Sequence, residues 1–140
     1  MLPADATPGA AAEHPSVTLV RRIFAAFAGG NARALLDGIA EDAVWRVAGA
    51  APVSRLYRGR DEIFELFRLV RRLTDGTYRS RLLWALGDDE HAVAVYRATG
   101  TRLGRSLDLD QLLAVTLRDG RWAEVLALPF DIAAFEAFWA

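Results

Sequence analysis

Few groups in this chain can move a proton or attack a carbon at neutral pH, and most of those few are carboxylates. The sequence has no cysteine, and all 17 of its Lys/Arg residues are arginine. Without a thiol there is no disulfide framework and no thiolate nucleophile or metal ligand. Without lysine, Schiff-base routes of the aldol and pyridoxal kind lack their amine. The two histidines, His14 and His91, fall in an N-terminal leader and just after the turn-like run Gly87-Asp88-Asp89-Glu90. Acid–base work is thus left to a carboxylate or a tyrosine. The candidates are Asp108, Asp110 and Asp131, with Arg97 as the cation that a ligand carboxylate or carbonyl would reach. No compact carboxylate–histidine cluster suggests a metal, no glycine loop suggests a phosphate site, and no cofactor is expected.

Those groups depend on elements that the hydrophobic pattern lays out in order. Residues 1–14 (MLPADATPGAAAEH) are rich in Ala, Pro and Gly without periodicity, which predicts a disordered leader ahead of one domain over 15–140. Pro15 and Ser16 open a helix whose Val20, Ile23, Phe24 and Phe27 share a face, and Gly29-Gly30 ends it. Asn31 caps a short second helix. Ala43–Val47 reads as a strand and 49–59 as a loop. A third helix is expected from about Asp61 to Leu73, buried along Ile63, Phe64, Phe67 and Val70, with acids in its first turn and arginines in its last. Beyond Thr77 the pattern changes to strands over 77–86, 91–101, 106–118 and 121–129. Turn signals at Gly87-Asp88-Asp89, Leu103-Gly104 and Asp119-Gly120 make them an antiparallel meander. A terminal helix closes the chain from Asp131. Helices first and strands after is an α+β order, with helices packed on one sheet face.

Strand alternation then assigns faces. Over 91–101, Val93, Val95, Arg97, Thr99 and Thr101 share one face, and over 106–118 so do Leu107, Leu109, Gln111, Leu113, Val115 and Leu117. Both stripes are expected to face the helices, which would carry Arg97 and Gln111 into the interior. A buried guanidinium needs a partner or an anionic ligand; the alternative is that Arg97 snorkels at the sheet edge or pairs with Asp131 or Asp108. Asp108 and Asp110 fall on the opposite face unless a bulge turns one inward. Asp131 has the residue type of an N-cap. Trp45 and Val47 should face inward on the first strand, and Tyr57 could rim the pocket mouth from its loop, or simply pack at the surface.

The segments Val20–Asn31 (VRRIFAAFAGGN), Ile39–Trp45 (IAEDAVW), Tyr57–Ile63 (YRGRDEI) and Val115–Trp122 (VTLRDGRW) carry a family signature in order and spacing. With it the chain resembles the SnoaL-like and ketosteroid-isomerase-like branch of the nuclear-transport-factor-two-like superfamily. The resemblance spans nearly everything after the leader. It implies a cone-shaped α+β fold, with N-terminal helices against a strongly curved, mostly antiparallel sheet enclosing an apolar pocket. It implies no single activity, because the scaffold hosts isomerases, dehydratases, cyclases, epoxide hydrolases and non-enzymes. The acids of the steroid-isomerase pattern fall here on Ile23, Val47 and Leu113. The polyketide-cyclase aspartate falls on Ala127 and its histidine near Leu113. In the epoxide-hydrolase-like pattern Arg97 matches the arginine, but Thr99 and Ala127 stand at the two carboxylates.

The expectation is therefore a protein that binds a small, largely apolar molecule among Trp45, Val47, Tyr57, Arg97, Thr99, Gln111, Leu113 and Ala127. One alternative is an isomerase, cyclase or hydrolase with a relocated carboxylate and Arg97. Another is a homodimeric interaction module using the outer sheet face at Leu112, Ala114 and Thr116. With 140 residues, 53% hydrophobic, and a formal charge of −1, the chain suits one domain with its own core. Balanced charge without a basic block argues against nucleic acid and membrane surfaces as partners. The apolar runs are too short to span a bilayer and the N-terminus does not read as a secretory signal, so a cytoplasmic location is expected.

Overall fold

The computed structural model describes residues 13–140, and the chain runs there as α1 (Pro15–Gly29), α2 (Ala32–Gly38), β1 (Ile39–Val47), β2 (Leu56–Arg58), α3 (Gly59–Leu73), β3 (Arg79–Gly87), β4 (His91–Arg102), β5 (Arg105–Arg118), β6 (Arg121–Pro129) and α4 (Ile132–Trp139). Most of the leader expected over 1–14 lies outside the described residues. Its last two positions do not behave as leader. His14 is the N-cap of α1, its Nδ1 accepting from the Ser16 backbone N–H at 3.0 Å, and Glu13 accepts from Arg21 Nε at 2.8 Å. Pro15 follows at the first helical position, where its missing donor leaves nothing unpaired. Gly30, at φ 66°, turns the chain out of α1, with Asn31 N–H returning to Ala26 O at 2.8 Å. Asn31 then caps α2 through Oδ1 to Ala34 N–H at 3.1 Å.

The six strands form one sheet in the order β2-β1-β6-β5-β4-β3. From β3 to β6 it is the expected meander, and β2 is antiparallel to β1, but β1 runs parallel to β6. Two residues join β4 to β5 and two join β5 to β6, at Leu103-Gly104 and Asp119-Gly120. All four have positive φ, the geometry that matches the twist of paired strands. Register shifts lie between Leu82 and Trp84, between Thr116 and Leu117, and between Ile39 and Val44. Such irregularities add local twist and let the sheet curl around the helices.

Three expectations about elements change. β1 starts at Ile39 rather than Ala43, β2 lies within the expected loop, and α3 begins at Gly59 because Glu62 Oε1 reaches back to Arg58 N–H at 2.9 Å. The face assigned to β4 also reverses. Ala92, Ala94, Tyr96 and Ala98 face the helices and are all nearly or fully buried, whereas Val93, Arg97, Thr99 and Thr101 face outward and are more exposed. The small side chains are what allow α1 to approach. Where β3 ends against α1, a Cβ built on Gly87 would stand 2.2 Å from Ser16 Oγ. The core between the layers joins Val20 and Ile23 of α1, Ile63 and Leu66 of α3, and Trp122 and Val125 of β6. Each such side chain contributes about 1.5–3 kcal/mol on burial. No helix among the described residues is long and apolar enough to cross a membrane.

Candidate functional site

The layers do not close completely. Between α1, α3, α4 and the inner face of the sheet lies a cavity of about 100 Å³. Its position follows from where the large rings sit. Phe27 of α1, Phe67 of α3 and Trp45 of β1 meet edge to face, Phe27 with Phe67 at 5.2 Å and Trp45 with Phe67 at 5.4 Å between centroids. Trp122 stands behind Trp45 at 5.9 Å. On the other side α4 supplies Phe135 and Trp139, which also border the cavity. Rings fixed against one another in this way cannot collapse into the space they surround.

Polarity enters from the sheet. Gln111 of β5 lies opposite Tyr96 of β4 in the ladder, and Gln111 Nε2 donates to the Tyr96 hydroxyl at 2.8 Å. Both residues are 6% exposed. Tyr78 also borders the cavity, and its ring stands against Phe27 and Trp139, each at 6.2 Å between centroids. Burial raises the Tyr78 phenol well above its ordinary range, and the neighbouring Tyr96 adds to the shift. Burial pushes Tyr96 up to about 12, against the Gln111 hydrogen bond and the neighbouring Tyr78 hydroxyl, which favour its ionised form. At neutral pH both are hydrogen-bonding phenols. Gln111 Oε1, Trp122 Nε1 and Trp139 Nε1 are buried without a partner among the described residues. None of the described residues lining the cavity carries a formal charge.

Of the residues expected at a ligand, Trp45, Val47, Gln111, Leu113 and Ala127 border this cavity. Tyr57 does not. It belongs to β2, is 2% exposed, donates its hydroxyl to Val53 O at 2.8 Å, and carries Arg55 over its ring at 3.9 Å. Arg97 and Thr99 are on the outer face, because the β4–β5 register pairs them with Asp110 and Asp108. Arg97 is held there by both acids, Nη1 to Asp108 at 3.0 Å and Nε to Asp110 at 2.9 Å. Asp131 accepts from Ala134 N–H at 3.0 Å and caps α4. The three candidate carboxylates and the candidate cation therefore stand outside the cavity, in structural roles.

Tyr78, Tyr96, Trp122, Phe135 and Trp139 were not among the expected site residues. For Tyr96 the signal was present in the turn. A two-residue hairpin at Leu103-Gly104 pairs Arg102 with Arg105, so partners on the two strands have numbers summing to 207, and Gln111 must face the same way as Tyr96.

A second constellation has the composition of a hydrolase triad. His14 Nδ1 meets Ser16 Oγ at 2.8 Å, and His14 Nε2 meets Asp89 Oδ1 at 2.9 Å. Ser16 is 5% exposed and packed on Gly87, and His14 Nδ1 also accepts from the Ser16 backbone. The serine cannot reach a substrate from there; the group is a helix cap tied to the β3–β4 turn. Among the described residues no three of His, Cys, Asp and Glu cluster as metal ligands would.

The model of the SnoaL-like domain family matches residues 20–125. The uncharacterized protein Rv0034 of Mycobacterium tuberculosis (strain ATCC 25618 / H37Rv) is 35% identical over 123 residues, 87% of this chain and 94% of that protein. Among solved structures, Bal32a from a soil-derived mobile gene cassette is similar with a TM-score of 0.87 and 28% identity, over 90% of this chain and 97% of that one. An NTF2-like protein of unknown function from Burkholderia pseudomallei K96243 follows with a TM-score of 0.80 and 20% identity, over 91% and 99% of the two chains.

Proposed function

This chain belongs to the SnoaL-like domain family, and from that premise we propose that it binds a small, neutral, largely apolar ring compound in the cavity between sheet and helices. The observation that carries this reading is the pairing of an aromatic wall with an uncharged polar patch, Gln111–Tyr96–Tyr78, at one side. An ionised ligand group would have to be desolvated with no opposite charge among the lining residues, which is costly in an apolar interior. A carboxylate held by Arg97 is no part of this reading, since that guanidinium is outside and already paired. Nor do Asp108, Asp110 and Asp131 supply an acid to the cavity from where they stand.

A native mass spectrum of the freshly purified protein, set beside its denatured spectrum, tests the proposal. Extra mass of a small molecule that disappears on denaturation is the expected result. An unliganded native mass, together with no shift of cavity tryptophan fluorescence on adding small aromatic compounds, would sink the reading.

Self-association through the outer sheet face is a second reading with its own support. Trp84, Val95, Leu112 and Leu128 are register partners in one row across four strands, and Leu86, Val93, Ala114 and Leu126 form the next. Trp84 is 48% exposed and Leu86 66%. Exposed apolar residues scattered singly are ordinary, but two adjacent rows make a contiguous patch of the kind that a second copy covers.

A further inference from the structure

Gln111, Tyr96 and Tyr78 have more hydrogen-bonding capacity than they use on one another. An amide brings two donor hydrogens and a carbonyl oxygen; each phenol brings one hydrogen and one acceptor oxygen. The Gln111 amide donates one hydrogen to the Tyr96 oxygen. That contact takes up one amide hydrogen and the acceptor oxygen of the phenol. Among the described residues, the Tyr96 phenolic hydrogen and Gln111 Oε1 are left over. Gln111 Oε1 is buried and has no partner among the described residues, and Gln111 lines the cavity. A buried carbonyl oxygen without a donor is an unfavourable state that a ligand can relieve.

We propose that the ligand is anchored by a hydroxyl group that donates to Gln111 Oε1 and accepts the remaining phenolic hydrogen. Gln111 is then the residue that selects a hydroxylated ring over its ether or hydrocarbon counterpart. One hydroxyl satisfies both leftover groups because it is donor and acceptor at once, whereas an ether can only accept and a hydrocarbon does neither. The inference rests on the reading of the cavity as a binding site, and it adds the feature of the ligand that the site recognises.

The test is an NMR titration of the tryptophan indole N–H signals with phenol, anisole and toluene. Trp45, Trp122 and Trp139 report on the cavity, and Trp84 is the internal control on the outer face. A purely apolar cavity prefers anisole and toluene, which are less well hydrated than phenol. The expected result is the opposite order, with phenol bound about tenfold more tightly than anisole. In Gln111→Leu and Gln111→Met the order reverts, so that anisole binds at least as well as phenol. The wild-type comparison stands even if a variant does not fold. Toluene and anisole binding as tightly as phenol in the wild type would overturn the role of Gln111 while leaving the cavity a binding site. A phenol preference that survives both substitutions would overturn it as well. If none of the three perturbs the cavity signals, the binding site and the anchor fall together.

Discussion

Gln111 Nε2 donates to the hydroxyl of Tyr96 across the β4–β5 ladder at 2.8 Å, with both side chains 6% exposed. This contact fixes which face of each strand is inner, since directly paired residues in an antiparallel ladder point the same way. It also fixes what the cavity can recognise. The helices contribute rings and aliphatic groups, while the hydrogen-bonding groups beside the space come chiefly from the sheet, whose backbone ladder holds them in place.

Burial holds all three tyrosines in their neutral form. Tyr57, Tyr78 and Tyr96 are each raised above the ordinary phenol range, Tyr96 to about 12. Tyrosinate absorbance near 295 nm should therefore stay low at pH 10 in the native protein and appear there after denaturation. The sign for stability follows. A phenol with a raised folded pKa contributes stability that is complete below about pH 10 and is lost as pH rises through about 12, because the unfolded chain releases its protons first. Tyr96 alone accounts for about 3 kcal/mol over that window. Tyr96→Phe should make the alkaline fall in urea midpoint shallower. Half-ionised tyrosines at pH 10 in the folded state would contradict the buried cluster.

Arg97 is a surface ion-pair residue. Its guanidinium spans Asp108 and Asp110, yet its side chain is 38% exposed and that of Asp108 70%, so water screens the pair. Arg81 stands directly opposite Arg97 in the β3–β4 ladder, a like charge that offsets part of the gain. Arg97→Ala should cost about 1 kcal/mol or less in urea denaturation, with the difference shrinking in high salt. Any bound small molecule should be retained. Loss of that molecule in the variant would return Arg97 to the binding site.

The helix–strand order, the hairpin turns and the Asp131 cap were legible because each rests on local chemistry: periodicity, paired turn residues and a capping oxygen. The face of β4 was not, because both of its stripes are apolar over their first half. Val93 and Val95 look more like core than Ala92 and Ala94, yet the helix-facing stripe is the small one, since α1 needs room. Register overrides hydrophobicity here. Gln111 pairs with Tyr96, so Gln111 and Arg97 could not both face inward. Tyr57 was misplaced for a different reason: β2 is only three residues long, too short for alternation to show. The part of the cavity built by α4 depends on tertiary docking, which no local pattern encodes.

The α1–sheet contact at Gly87 should tolerate no side chain. A methyl there would meet Ser16 Oγ at 2.2 Å, His91 O at 3.0 Å and Ser16 Cβ at 3.2 Å. Ser16 Oγ is not free to swing away without giving up its bond to His14 Nδ1. Gly87→Ala should cost roughly 1–3 kcal/mol. In a double-mutant cycle with Ser16→Ala the two changes should couple by about 1 kcal/mol or more, because the second removes the nearest clashing atom. Additive effects in thermal or urea unfolding would place α1 farther from β3 than the structure does.

Trp84 decides the self-association reading. It begins the row Trp84–Val95–Leu112–Leu128, and the register shift between Leu82 and Trp84 is what brings it onto the outer face opposite Val95. Val95 is only 3% exposed although it points outward, so its neighbours already shelter it, and Trp84 remains half open above the sheet. A second copy laid on this face would cover Trp84 and Leu86 together and bury large apolar area, where truncating an aromatic side chain is costly. Trp84→Glu should then raise the dimer dissociation constant by about a hundredfold or more, since it removes the ring and leaves a charge facing an apolar patch. Sedimentation velocity across a concentration series reads this directly, and thermal unfolding of the variant checks that the monomer still folds. A wild-type protein that sediments as a monomer at every concentration would end the reading. So would a Trp84→Glu variant as dimeric as its parent, because this reading places that side chain under the second copy.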